Sequence, residues 1–263
     1  MISVFFVTVR GVFRDRVFHG ILMTSLVFLA IPAVSTLSMR QVTELATTLS
    51  LSLISFILLL LAVFLGGTSI WRDIERRYIF SVAGLPLSRS SYVLGKFAGI
   101  SGFVLLVALV LGSISFAIVW YAQGVYPPSR PVLWHVFFLA VVFDAMKYIL
   151  LVALSFLFSS VSTSFFLPVF GTISAFLVGS ATQQVFDYIH SPTGQALSAV
   201  LRQIASALYY VLPNFAAFDL KVNAIYAIPV SGHGVLLTLG YFFVYTAAIL
   251  FLATHSFARR ELQ

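Results

Sequence analysis

Cysteine is absent from the 263 residues, and only 9% of them are charged. The first absence excludes disulfides, thiolate metal sites and cysteine nucleophiles, and it leaves the redox compartment open. The second excludes a soluble globular enzyme, because a water-facing surface draws on about a quarter charged residues. Catalytic signatures are missing too. There is no G-x-x-x-x-G-K-[ST] loop: Gly95-Lys96-Phe97 lacks the upstream glycine and the following hydroxyl that would hold Mg²⁺. Neither an H-E-x-x-H pair nor a G-x-S-x-G elbow occurs, so intramembrane proteolysis and ester hydrolysis have little support. The five histidines (His19, His135, His190, His233, His255) are scattered near predicted span ends. Interfacial placement accounts for them better than a metal site.

What is abundant is apolar. Hydrophobic residues make up 60% of the chain and the mean hydropathy is +1.06. A bilayer-crossing helix needs about 20 apolar residues. Five runs meet that length, 18–37, 51–71, 97–120, 133–158 and 235–253, while a sixth, 165–181, is slightly short and holds Pro168, Gly171 and Gly179. Neighbouring helices can satisfy the backbone groups such residues free. The expected fold is therefore an all-α integral membrane domain over 1–263 with six transmembrane helices.

Residues 1–17 lack the layout of a cleavable signal, since Arg10, Arg14 and Arg16 follow the first apolar stretch. Arg10 and Arg14 share one helical face, with Phe5, Phe6, Val9 and Phe13 largely elsewhere. That pattern suits an amphipathic interfacial helix; the alternative is a first span that begins near Met1. With the N-terminus inside, cytoplasmic segments hold ten of the 15 Lys and Arg residues and outside loops hold Arg40, Arg130, Arg202 and Lys221. The bias favours both termini in the cytoplasm. It also explains the net charge of +7, which is no sign of nucleic-acid binding. The external segment 182–234 carries Pro192, Pro213 and Pro229. Its part 196–218 could pass for a seventh span, but Arg202 and Pro213 interrupt it, so short re-entrant or external helices are expected there.

The cytoplasmic loop 72–96 is the most informative stretch. Asp73, Arg76 and Arg77 have i, i+3 and i+4 spacing and can pair along a helix. Ile74, Tyr78 and Ile79 give that helix an apolar side, and Gly84 and Pro86 break it. A short amphipathic helix of this kind fits a groove on a cytoplasmic partner. An ordinary solvated positive-inside loop fits as well, and both readings stand on the residues alone.

The loop resembles that of type-two, six-helix ABC exporter permeases: an acidic-basic cluster (Asp73, Glu75, Arg76), then Pro86-Leu87-Ser88-Arg89, then Gly95-Lys96 opening the third span. A Leu-rich helix ending in Ser159-Ser160-Val161-Ser162-Thr163-Ser164, with a span that closes on Gly179, is similar to the same family. So is Leu212-Pro213-Asn214-Phe215 with Phe218-Asp219, as in permeases related to nitrous-oxide-reductase maturation. In many members Gly-Thr follows the acidic-basic cluster, where this chain has Arg77-Tyr78.

The resemblance implies a half-transporter in a bacterial inner membrane. A second copy would complete the pathway, and separate ATPase subunits would hold ATP and Mg²⁺, with no cofactor on this chain. Arg72, Asp73, Glu75, Arg76, Arg77 and Tyr78 would form the coupling helix, and 1–17 the connecting helix. The second and fifth spans would wall the route, with Gly66, Gly67, Gly171 and Ser174 allowing close approach or serving as plain packing positions. Independently of any family, Asp144 and Lys147 are the one predicted charge pair deep in a span. Buried membrane charge marks a functional candidate, and three-residue spacing also lets the two neutralise each other. A competing function is a secondary transporter or channel that works through this pair without an ATPase; another is a non-transporting scaffold.

Overall fold

A computed structural model describes residues 2–13, 15–25, 27, 30–38, 41–75, 88–128, 130–192, 194 and 197–259. Among them the chain is helical, without strands. Two helices open it, α1 (Ile2–Phe13) and α2 (Arg16–Ser25), followed by the short α3 (Ile31–Ser35). Helix α4 (Val42–Leu61) runs through a π-helical turn (Ala62–Gly66) into α5 (Gly67–Glu75), making one rod of 34 residues. Then come α6 (Arg89–Val125), α7 (Trp134–Val161), α8 (Phe166–His190), α9 (Ala199–Val211), a 3₁₀ turn (Phe215–Phe218), α10 (Lys221–Tyr226) and α11 (Gly232–Arg259).

Five helices, the α4–α5 rod, α6, α7, α8 and α11, are long and apolar enough to cross a membrane. The chain is thus a multi-pass helical membrane protein. The rod and the 37-residue α6 exceed what the bilayer requires: at 1.5 Å per residue they run to about 50 Å, against a hydrocarbon core of about 30 Å. The first expected span, 18–37, falls on α2 and α3, which are separate short helices, with residues 26, 28 and 29 outside the description. The expected fifth span reaches further than 181. Gln183 Nε2 donates to Asp187 Oδ1 at 2.9 Å, an i, i+4 bond that carries α8 on to His190 across residues too polar to be counted as span.

Helix α7 is the hub. It packs against the rod, α6, α8 and α11, and it buries residues all round its circumference. Phe137, Tyr148 and Phe156 of α7 meet a core that includes Ile54, Leu58 and Leu61 of α4, Phe103 of α6 and Phe257 of α11. At the π turn the rod comes so close to α7 that a Cβ on Gly66 would stand 2.4 Å from Ser155 Oγ. Gly67 and Gly171 likewise face Pro168 and Phe158 of the same chain, while Ser174 is exposed on α8.

The long helices define two ends. At one, Arg72, Arg89 and Arg259 gather with Asp15; at the other, Thr43 Oγ1 donates to the carbonyl of Tyr126 at 2.9 Å beside the start of α7. From this second end the chain between α9 and α11 folds back onto the bundle. Asn214 caps the 3₁₀ turn by accepting from the N–H of Ala216, and Phe215 and Phe218 are buried against Phe176, Phe143 and Phe242. Helix α10 closes on Ala227, which is left-handed at φ 55°.

Gly179 of α8 is the position this fold-back depends on. A Cβ there would stand 2.5 Å from the carbonyl oxygen of Pro213 and 2.7 Å from the Phe215 ring. Because a backbone atom blocks it, Gly179→Ala is expected to cost about 1–3 kcal/mol, in the range of overpacked cores. Gly240→Ala, with nothing within 4 Å, should be neutral or slightly stabilising. Thermal unfolding of the two variants in detergent tests the contrast.

Candidate functional site

Two polar clusters stand out from the apolar bundle. The first lies at the Arg72 end. Arg72 Nη1 meets Asp15 Oδ2 at 2.5 Å, and its Nη2 donates to Thr68 Oγ1 at 2.5 Å. Asp73 accepts from both Lys96 Nζ and the Tyr92 hydroxyl, so its partners are on α6. Lys96 is buried and also donates to the carbonyl of Ser69 at 2.6 Å. It is thus a strut that joins α5 to α6. The N–H of Trp71 donates to Ser159 Oγ at 3.1 Å, tying α5 to α7 as well.

Other residues of the predicted loop take separate positions. Glu75 is exposed at the end of α5. Ser88 caps α6 by accepting from the N–H of Ser91, Arg89 donates to the carbonyl of Ala258 at 2.9 Å, and Gly95 is buried. Arg76, Arg77, Tyr78 and Pro86 lie outside the described residues. Helix α1 rests along the same end of α6, where Thr8 and Phe5 pack onto Gly99 and Gly102, and Phe13 meets Phe103 edge-on at 5.3 Å. Arg10 is exposed.

The second cluster is in the bundle interior. Asp144 and Lys147, one turn apart near the middle of α7, form an ion pair at 2.5 Å, with side chains 7% and 6% exposed. Ser55 of α4 donates to Asp144 Oδ2 at 2.6 Å, and the Lys147 ammonium lies 4.8 Å from the centre of the Tyr148 ring. Taking two charges out of water costs several kcal/mol per ion. Here the cost is offset by the mutual attraction, the hydroxyl and the ring face.

Helix α10 packs against α4 and α7 beside this pair. Burial lowers the pKa of Lys221 there; the field of Asp144 opposes that shift, Lys147 reinforces it and Asp219 opposes it. No group of three or more His, Cys, Asp or Glu able to hold a metal occurs among the described residues.

Sequence reasoning named Asp73, Lys96, Asp144 and Lys147 but missed Asp15, Tyr92, Ser55, Tyr148 and Lys221. Ser55 had a visible signal, since it is a hydroxyl residue on the buried face of an apolar helix. Tyr148 directly follows Lys147 in the sequence, while Asp15, Tyr92 and Lys221 are long-range partners that no local spacing discloses. No protein-family model and no curated protein matches the chain.

Removing one partner of a buried pair leaves an uncompensated charge. Lys147→Met is therefore expected to cost about 3–5 kcal/mol, whereas Asp144→Leu combined with Lys147→Met should recover most of that loss. Unfolding of both variants in detergent checks this; additive losses would show that the two side chains act separately.

Proposed function

We propose that this chain is the membrane-spanning permease subunit of an ATP-binding-cassette exporter, working as a homodimer and driven by separate ATPase subunits. The observation that carries the reading is the arrangement around α5. Glu75 is exposed in the last described turn of this helix, its tip, and Arg72 and Asp73 of the same turn are tied to Asp15 and to Lys96 and Tyr92. A force applied at the tip reaches three places: the N-terminal helices, α6 and, through the continuous rod, the bundle interior. Such a lever suits a chain that has no nucleotide-binding motif of its own.

In this reading α5 couples to the motor and α1 is the connecting helix. The rod and α8 wall the route, and ATP and Mg²⁺ stay on the partner. The basic end faces the cytoplasm of a bacterial inner membrane, in line with the positive-inside rule. An even number of crossings is supported by the position of the chain at each end. It is held at Arg72 by Asp15 and at Tyr126 by Thr43, so Asp15 and Thr43 lie at opposite ends of the bundle, as a sixth crossing between them requires.

A second reading has one observation in its favour: the buried Asp144–Lys147 pair would suit transport driven by an ion gradient without an ATPase. Co-purification separates the two. A soluble ATPase should remain bound in detergent and be released by Glu75→Lys, while Asp144→Asn leaves it bound. Reconstituted chain that moves cargo with a proton gradient alone, and stops on Asp144→Asn, would replace the exporter reading.

A further inference from the structure

Helix α10 spans only Lys221–Tyr226 and packs against α4 and α7. A helix this short has no stability of its own. It buries Ala224 fully, while Val222 and Tyr226 are exposed. Leu220 and Val230 on either side of it pack against the core, so the segment is tethered at both ends. Between those tethers its bonds to carbonyls are thin. Arg130 Nη1 donates to the carbonyl of Tyr226 at 3.4 Å and Asn223 Nδ2 to that of Ile228 at 3.5 Å, both at the long limit of hydrogen bonding. The N–H of Lys221 donates to Asp219 Oδ1 at 3.1 Å, a bond local to the segment.

Lys221 and Ala224 are three residues apart and share one face of α10. The two helices that α10 packs against are those that hold the buried pair, since Ser55 is on α4 and Asp144 and Lys147 are on α7. Lys221 is partly buried and lies within the fields of both charges. Asp144 therefore serves two ammonium groups, one on its own helix and one on α10. At Lys221 the attraction of the carboxylate outweighs the repulsion of Lys147. Such attraction needs no direct contact, because charges interact over several ångströms where the surroundings are poor in water.

We propose that Asp144 latches α10 over the seam between α4 and α7 by attracting Lys221, so that a charge inside the bundle sets how often this surface helix opens. Lys147 works against the latch. The device consequently has a sign: removal of the carboxylate loosens α10, whereas removal of the Lys147 ammonium does not. A helix held by packing alone would ignore both substitutions, or loosen with both as the whole bundle weakened. The latch is independent of the exporter reading, because it involves neither α5 nor an ATPase.

The test exploits the absence of cysteine. Ala224→Cys places a lone thiol under α10, and its modification by N-ethylmaleimide in detergent reports local opening of the helix. Ala253→Cys, at a fully buried position of α11, reports loosening of the bundle, and each rate at 224 is taken relative to the rate at 253 in the same background. Asp144→Asn is expected to raise this ratio about three- to tenfold, the effect of losing a partly screened charge interaction. Lys147→Met should not raise it. Lys221→Gln should raise it less than Asp144→Asn does, because repulsion is removed along with attraction, and Lys221→Arg should leave it unchanged. In the Lys221→Gln background, Asp144→Asn should alter the ratio by less than about twofold. An unchanged ratio in Asp144→Asn, a raised ratio in Lys147→Met, or an Asp144→Asn effect that persists without Lys221 would overturn the proposal.

Discussion

Helix α7 is enclosed by the rod, α6, α8 and α11, and a helix enclosed in this way can carry charge only where its neighbours answer it. Ser55 from α4 answers Asp144, and Tyr148 places its ring beside Lys147. The same closeness fixes the glycine at the π turn, where Ser155 needs the space that a side chain would fill. The bundle is in this sense built outward from α7. Its neighbours are correspondingly more exposed, with apolar rows such as Phe166, Phe170 and Leu177 on α8 turned away from the core. For a multi-pass membrane protein those rows have lipid or another helix as their natural cover.

The sequence disclosed the long helices because hydropathy over 18 or more residues reports span existence directly. It also disclosed Asp144 and Lys147, since a charge in an apolar run is conspicuous and three-residue spacing brings the two together. Its errors are of two physical kinds. Boundaries moved where polar residues found local partners, as Gln183 did with Asp187. Partners were missed where pairing depends on tertiary contact. Spacing lets Asp73 pair with Arg76 and Arg77, which lie outside the described residues, but it does not announce Lys96 and Tyr92, which hold Asp73 from α6. The Pro213-Asn214-Phe215 motif could be read as a turn, yet only the space left at Gly179 shows why it fits against α8.

The two polar clusters are joined by one covalent element. Ser55, which bonds the buried carboxylate, and Arg72 and Asp73, which bond the surface partners, all belong to the rod from Val42 to Glu75. The two clusters are therefore linked through helix alone, without any intervening loop.

The π turn at Ala62–Gly66 adds a further consequence. Such a turn takes in one more residue than an α turn, and each residue of an α-helix advances the azimuth by about 100°. The extra residue therefore sets the rotational phase of everything beyond it. Were the turn to relax to ordinary α geometry, Arg72 and Asp73 would swing about a quarter of a circle away from Asp15 and Lys96 while Ser55 stayed in place. The rod thus contains a built-in screw by which a change of winding could release one cluster without disturbing the other.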